Sequence, residues 1–312
     1  MAEQKTHFDI IVIGSGPAGF TAAIYGARGG ASTALFGGAA PGGQLLLTME
    51  IENFPGFEEP VIGADLMQKM LKQASRLGTA VFQEEIRSVD LSDRPFRLTS
   101  GSGKVYTAGS VIIATGAQAR WLGLPSEQAY VGRGVSGCAT CDGFFYRGKE
   151  ICVIGGGDSA AEDALFLTKF ASKVYIVHRR DKLRAIFRLQ EKLRANPKIE
   201  ILYDHVLEEV TGGERVSGVN LRNVKTGAAR RLETPGVFIA IGHIPATKIF
   251  EGKLNLDDEG YIVTNPRQGT SVFGVYAAGD VMDTRYKQAV VAAGAGCKAA
   301  MEALVYLEEI KK

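Results

Sequence analysis

Cysteine is scarce in this chain: four in 312 residues, with only Cys138 and Cys141 close together. That excludes a secreted disulfide scaffold, which needs a dense framework of matched cysteines. An excess of one charge is lacking as well. Lys plus Arg is 36 and Asp plus Glu is 34, a net charge of +2, so no global field draws the chain to nucleic acid or to a membrane surface. No apolar run reads as long enough to span a membrane. The N-terminus passes from a short polar leader into FDIIVIG without the layout of a signal peptide. Histidine is also sparse: His7, His178, His205 and His243 are scattered. An apolar fraction of 46% and a charged fraction of 22% are those of a globular chain. The length suits two domains, and the cytoplasm is the expected compartment.

Glycine is what the chain has in excess, 39 residues clustered at turns between apolar runs. Two of these clusters belong to an internal duplication. FDIIVIGSGPAGFTAAIYGARGGASTALF from Phe8 and KEICVIGGGDSAAEDALFLTKFASKVYIVHRR from Lys149 align on Gly14 and Gly155. Each reads as an apolar β-branched strand, a glycine turn, a helix and a second apolar strand, a βαβ unit twice over. SVIIATGA at 110–117 and GVFIAIGH at 236–243 echo each other too, each a buried strand ending in a glycine turn.

The first copy carries Gly14-Ser15-Gly16-Pro17-Ala18-Gly19, and the second Gly155-Gly156-Gly157-Asp158-Ser159-Ala160. The first glycine permits a tight turn and the second lets the backbone approach a pyrophosphate. The third position must be small for helix–strand packing. Free N–H groups at the start of the following helix then favour the anion. A single such motif is weak evidence; two in the expected strand–helix setting predict two dinucleotide sites. The second copy ends in His178-Arg179-Arg180, with Arg184 a turn further on. An acid there would meet the ribose 2′-OH of NADH, whereas arginines meet a 2′-phosphate, so NADPH is expected. The first copy ends in Phe36-Gly37-Gly38, with neither acid nor arginine, which leaves Pro41-Gly42-Gly43-Gln44 to supply contacts.

Cys138-Ala139-Thr140-Cys141 falls between these signatures. Such a pair can close a tight disulfide and depress one thiol pKa toward neutrality, or it can form half of a zinc site. Cys152 and Cys297 are isolated, so the redox reading is favoured. Both read as packed thiols. Two nucleotide sites and a dithiol together call for a mediator, because hydride donation and thiol exchange are different chemistries. FAD in the first site, able to accept hydride and reduce a disulfide, is the economical choice.

Along essentially its full length the chain resembles the low-molecular-weight, bacterial-type thioredoxin reductases. The residues that carry the likeness are the 14–19 turn, Pro41-Gly42-Gly43-Gln44-Leu45, Glu52-Asn53-Phe54-Pro55-Gly56 and Ala114-Thr115-Gly116-Ala117. They continue through Cys138-Ala139-Thr140-Cys141-Asp142-Gly143, His178-Arg179-Arg180 and Ala278-Gly279-Asp280. The resemblance implies an α/β fold of two Rossmann-like dinucleotide-binding domains. An NADPH domain at 119–246 would be inserted into an FAD domain split between 1–118 and 247–312. It implies that Gly43, Gln44, Asn53, Ala114, Thr115, Gly116, Gly279, Asp280, Lys287, Gln288 and Ala289 join the first glycine turn around FAD. Lys287 stands where the family usually has arginine, keeping the charge but losing the bidentate fork. Gly155, Gly157, Asp158, Ser159, Ala160, His178, Arg179, Arg180 and Arg184 would hold NADPH. Electrons would pass from NADPH to FAD, to the Cys138–Cys141 disulfide and on to thioredoxin, with Asp142 protonating a leaving thiolate. Phe144-Phe145 and Arg133 would help dock thioredoxin, a homodimer is expected, and one domain would rotate against the other about linkers near 118–122 and 243–248. The alternative is a flavin-dependent dithiol oxidase using oxygen, against which the arginine cluster argues.

Overall fold

The β-branched run Ile10, Ile11, Val12, Ile13 is at most 4% exposed and forms the strand His7–Ile13. Burial on both faces is what a central strand of a parallel sheet requires, and each such side chain stabilises the fold by about 1.5–3 kcal/mol. The computed structural model describes residues 5–48 and 50–311. It divides into two compact units, one formed by the chain up to Gln118 and again from Ile244, the other by Ala119–His243.

In the split unit the central strand pairs in parallel with Thr33–Phe36 and Val105–Ile113. Ala80–Phe82 lies outside Thr33–Phe36, and Val275–Ala277 pairs in parallel with the end of Val105–Ile113. The start of that same strand instead pairs with the antiparallel Phe96–Ser100, which continues to Ile86–Asp90. Helices Pro17–Arg28, Gly63–Arg76 and Ala289–Glu309 cover one face. The other face is sealed by Phe36, Phe96, Tyr106, Phe250 and Ile262.

One sequence expectation needs correcting. The C-terminal helix Ala289–Glu309 has 21 residues, and an 18-residue stretch of it has a mean hydropathy of 1.4, long and apolar enough to cross a membrane by length and composition. Alanine and glycine make up much of it, so it did not stand out as an apolar run. Its Gly296, Ala299, Ala300, Ala303 and Tyr306 are buried in the same core as Ala18 and Ala22. A Cβ on Gly296 would lie 2.1 Å from the Ala18 carbonyl oxygen. The small residues thus serve a close helix–helix contact within the unit.

The inserted unit has five parallel strands in the order Val135–Ser136, Val237–Ala240, Glu150–Gly155, Lys173–Val177, Ile199–Leu202. Helices Asp158–Leu167 and Phe187–Ala195 lie on one face. A three-stranded antiparallel sheet, His205–Gly212, Val216–Asn223 and Ala229–Glu233, covers the other through Val210, Val219 and Leu221. The fold is α/β, with a Rossmann-like, mainly parallel sheet in each unit that carries helices on one face. Short strands Ala117–Ala119 and His243–Pro245 pair where the chain crosses between units. The return crossing falls at His243/Ile244, ahead of the expected 246/247, because the Ala246 N–H is bonded to the Gly116 carbonyl of the split unit.

Candidate active site

The two glycine turns are built alike. Gly14 has φ +110°, and a Cβ there would lie 2.1 Å from the Ala114 carbonyl oxygen. A Cβ on Gly155 would lie 2.3 Å from the Ala240 carbonyl oxygen. In both, the first glycine is pressed on the end of the neighbouring strand. Gly19 and Ala160 close against the first glycine from the helix side. The second glycine is open: a Cβ on Gly16 would meet no atom within 4 Å, and one on Gly157 only the Arg184 Nη2 at 3.9 Å. Both are helix N-caps in extended conformation. Each turn therefore offers free helix N–H groups beside unfilled backbone space, the cradle a pyrophosphate needs. Pro17 starts the first helix, where its missing N–H costs nothing.

Around the first turn, the Ser15 hydroxyl donates to the Gly37 carbonyl at 3.0 Å and accepts from the Gly42 N–H at 3.1 Å. It ties the end of the second strand and the Pro41-Gly42 loop to the turn. Gly43 begins a 3-10 turn that approaches Gly16, and the Gln44 amide donates to the Ala117 carbonyl. The Thr115 hydroxyl donates to the Ala246 carbonyl at 2.8 Å, and Gly116 has φ +74°. Gly279 packs against Ala18. Asn53 donates to Gln288, which caps the C-terminal helix just before Ala289. Burial, with Asp283 adding to it and Lys287 opposing, pushes the Asp280 carboxyl up to about 6. Lys287 has φ +47°, donates to the Thr284 carbonyl at 2.6 Å and lies 5.2 Å from the Tyr261 ring centre. Of the residues expected around FAD, Gly43, Ala114 and Gly279 lie against this turn, while Asn53 and Gln288 are bonded to each other and Lys287 to Thr284.

At the second turn, the exposed Arg179 and Arg180 follow the second strand, and Arg184 returns to the glycines. The Arg184 and Ala185 N–H groups donate to the Gly156 carbonyl at 2.7 and 3.1 Å. Among the described residues none of these three guanidinium groups has a carboxylate partner. Asp158, exposed at the first helical position, accepts the Ile186 N–H at 2.7 Å and so fixes the same loop, and Ser159 beside it is exposed. His178 is placed differently from the expectation of a phosphate contact. It is 7% exposed, with Nδ1 3.1 Å from the Gly155 carbonyl and Nε2 2.9 Å from the Lys182 carbonyl. A Cβ on Gly156 would fall 2.2 Å from its ring. Burial, with Arg180 and Arg184 nearby, lowers its pKa. The imidazole braces the turn from beneath.

Cys138 and Cys141 form a disulfide with Cα atoms 5.4 Å apart. Cys138 caps the short helix Ala139–Asp142, its sulfur accepting the Cys141 N–H at 3.2 Å and lying 3.4 Å from the Thr140 hydroxyl. Cys141 is exposed and Cys138 half-buried. Asp142 is half-buried one residue further on. Burial raises its pKa, and a hydrogen bond from Ser136 opposes the rise. Tyr146, half-buried and next to that carboxyl, is pushed up to about 12. Phe144 and Phe145 are 51% and 48% exposed, and Arg147 stacks on Phe144 with its guanidinium 5.0 Å from the ring centre. Arg133 is held by the Ala129 carbonyl and the Tyr130 ring. Cys152 is fully buried, its thiol pushed up to about 12. Sequence reasoning missed Ser136 and Tyr146, because nothing in a serine two residues before a cysteine, or a tyrosine after two phenylalanines, marks the side chain as turned inward.

Two sites shaped for dinucleotides and one disulfide define the class. The sequence matches the family Pyridine nucleotide-disulphide oxidoreductase over residues 8–296, and the chain belongs to it. It is 51% identical over 310 residues to a protein of Rickettsia conorii named thioredoxin reductase, covering 98% of this chain and 100% of the other. It is 50% identical to one of the same name from Streptomyces coelicolor, covering 96% and 94%. A solved thioredoxin reductase from Giardia duodenalis superposes with a TM-score of 0.94 at 43% identity, covering 98% of this chain and 100% of that one. The chain is an NADPH-dependent flavoprotein disulfide oxidoreductase, and these relatives favour the reductase over the oxygen-using oxidase.

Proposed function

We propose that this chain reduces the disulfide of a thioredoxin, with Cys138, Cys141 and Asp142 carrying the exchange. The observation behind the reading is the closed Cys138–Cys141 disulfide beside a raised-pKa carboxyl, in the same unit as a glycine turn flanked by exposed arginines. FAD, when bound, accepts hydride from NADPH and supplies the electron pair that opens the disulfide. Gly14, Ser15, Gly16, Pro17, Ala18 and Gly19 form its proposed pyrophosphate cradle. Gly43, Gln44, Asn53, Ala114, Thr115, Gly116, Gly279, Asp280, Lys287, Gln288 and Ala289 surround it. Gly155, Gly157, Asp158, Ser159 and Ala160 form the NADPH turn, and Arg179, Arg180 and Arg184 meet the 2′-phosphate.

One thiolate of the reduced pair attacks the partner's disulfide, forming a mixed disulfide and releasing a partner thiolate, which takes a proton from Asp142. The second thiolate of the pair then attacks the mixed disulfide. This re-forms the Cys138–Cys141 bond and releases the partner's dithiol. Overall NADPH, a proton and the partner disulfide become NADP⁺ and the partner dithiol. Exposed Phe144 and Phe145 supply apolar docking surface beside the pair. A second copy of the chain is the proposed quaternary partner, on the exposed Val290, Val291, Met301 and Val305 of the C-terminal helix, and the cytoplasm is the proposed compartment.

Purified holoenzyme should oxidise NADPH rapidly only when thioredoxin and a disulfide-reporting dye are present. Cys138→Ser and Cys141→Ser should each abolish thioredoxin turnover while NADPH still bleaches the flavin. Turnover without thioredoxin, or only with oxygen, would refute the reading.

A further inference from the structure

A dinucleotide fold commonly places an acid after its second strand, where it accepts a ribose hydroxyl. Here Gly37 and Gly38 follow the strand Thr33–Phe36 instead. A side chain at Gly37 would be crowded, its Cβ lying 3.0 Å from both the Ser15 Cβ and the Pro41 Cβ. Gly38 has φ +73°, a conformation that favours glycine. The atoms that a Cβ on Gly38 would meet come from elsewhere in the chain. They are Cγ and Oε1 of Glu85, at 3.6 and 3.8 Å.

The backbone fixes Glu85 in this place. Phe36 and Phe82 stand opposite each other in the parallel pair Thr33–Phe36 and Ala80–Phe82, and the two chains run on side by side. The Gly37 N–H donates to the Phe82 carbonyl at 3.0 Å and the Gly38 N–H to the Glu84 carbonyl at 3.1 Å. From the other side the Gly101 N–H donates to the Glu85 carbonyl at 2.8 Å. The Glu84 carboxylate is engaged by the Ser102 hydroxyl at 2.7 Å. Glu85 is exposed, and among the described residues no ion pair takes up its charge.

The inserted unit repeats this backbone arrangement with the opposite charge. The His178 N–H donates to the Leu202 carbonyl at 3.0 Å, as Gly37 does to Phe82. The acid that follows there, Asp204, lies 3.0 Å from the Lys225 ammonium, and exposed Arg179 and Arg180 occupy the end of the second strand. We propose that Glu85 supplies, from the neighbouring strand, the acid missing after Thr33–Phe36, and that its carboxylate accepts a ribose hydroxyl at the adenosine end of FAD. The proposal rests on the reading of the Gly14–Gly19 turn as the pyrophosphate cradle of FAD. A hydroxyl donating to a carboxylate makes a charge-assisted bond, and the same negative charge repels a 2′-phosphate. Two turns built on the same glycines are thereby told apart by the sign of the charge beside them.

The test compares wild type, Glu85→Ala and Gly16→Ala as holoenzymes. Each is dialysed against falling concentrations of FAD, and the bound flavin is read by absorbance. In a second series the bound FAD is displaced by an analogue whose adenosine lacks both ribose hydroxyls. Glu85→Ala should hold FAD about tenfold more weakly, the loss of one charge-assisted hydrogen bond at an exposed position. It should hold the analogue as tightly as wild type does, so the preference for FAD over the analogue shrinks about tenfold. Unchanged FAD affinity in Glu85→Ala, or equal weakening of FAD and analogue as a merely structural role would produce, overturns the proposal. Gly16→Ala puts a methyl into the open space of the cradle and should weaken both ligands alike. If it weakens both while Glu85→Ala changes nothing, the proposal alone has failed; if it leaves both unchanged, the cradle reading has failed and the proposal with it.

Discussion

Replacing Gly157 with alanine separates what the second turn does for the fold from what it does for a ligand. The added methyl meets only the Arg184 Nη2, at 3.9 Å, an ordinary contact. The backbone there, φ −92° and ψ −172°, is extended and suits alanine. Alanine is a poorer N-cap than glycine by up to about 1 kcal/mol, but it also restricts the unfolded chain, stabilising the fold by about 0.4–1 kcal/mol. These nearly cancel, so stability without nucleotide should change by no more than about 0.5 kcal/mol. A pyrophosphate, however, needs the same space to reach the helix N–H groups. Displacing it weakens charge-assisted hydrogen bonds worth about 1.5–3 kcal/mol, a loss of about ten- to a hundredfold in NADPH affinity. Gly155→Ala is the contrast: its methyl would strike the Ala240 carbonyl oxygen at 2.3 Å and the Ala160 Cβ at 2.7 Å. Overpacking of that kind costs about 1–3 kcal/mol, before any ligand is added. Thermal denaturation without nucleotide and fluorescence titration with NADPH read the two effects. Wild-type NADPH affinity in Gly157→Ala, or a melting temperature as low as that of Gly155→Ala, would refute the reasoning.

Three further outcomes are expected. Arg180→Ala should raise the Michaelis constant for NADPH about tenfold or more with kcat little changed, and should narrow the preference over NADH; equal use of both nucleotides by wild type would contradict the arginine assignment. Asp280 has a folded pKa of about 6 against 3.8 in the unfolded chain, raised first by burial. The folded state therefore holds its proton longer, and this contribution to stability is complete below 3.8 and lost as pH rises through about 6. Asp280→Asn should flatten the decline in urea stability of the apoprotein across that window, and an unchanged slope would count against it. Iodoacetamide applied to the native oxidised protein should label the half-exposed Cys297 and leave Cys152 unmodified; mass spectrometry showing Cys152 labelled first would reverse the burial argument.

The two sheets were legible in the sequence because their central strands are buried on both faces and read as continuous β-branched runs. The glycines mark the turns that follow. The echo between 110–117 and 236–243 has a packing cause: in each unit that strand carries the carbonyl on which the first glycine is pressed. The antiparallel layer of the inserted unit was far less visible. Its strands mix apolar with polar and small residues, as in Val216-Ser217-Gly218-Val219-Asn220-Leu221, and carry no chemical motif. His178 misled for a related reason. A residue at the end of a βαβ strand can turn outward to a ligand or inward under the turn, and here the two main-chain carbonyls within reach of its ring decide the matter. The roles of Ser136 and Tyr146 depend on where a short strand and a short turn place their side chains, which residue spacing does not encode.

The paired strands Ala117–Ala119 and His243–Pro245 bear on how such a chain could arise and fold. The Arg120 N–H reaches the Gly242 carbonyl at 2.9 Å on the inserted side, and the Ala246 N–H reaches the Gly116 carbonyl at 2.9 Å on the other. To the surrounding unit the whole of Ala119–His243 enters and leaves as one two-stranded ribbon. An insert whose ends are already held together imposes the closure entropy of a short loop, whatever its own length. The interrupted sheet can therefore be completed late in synthesis, after the second half emerges, without searching for its missing strand across an open chain.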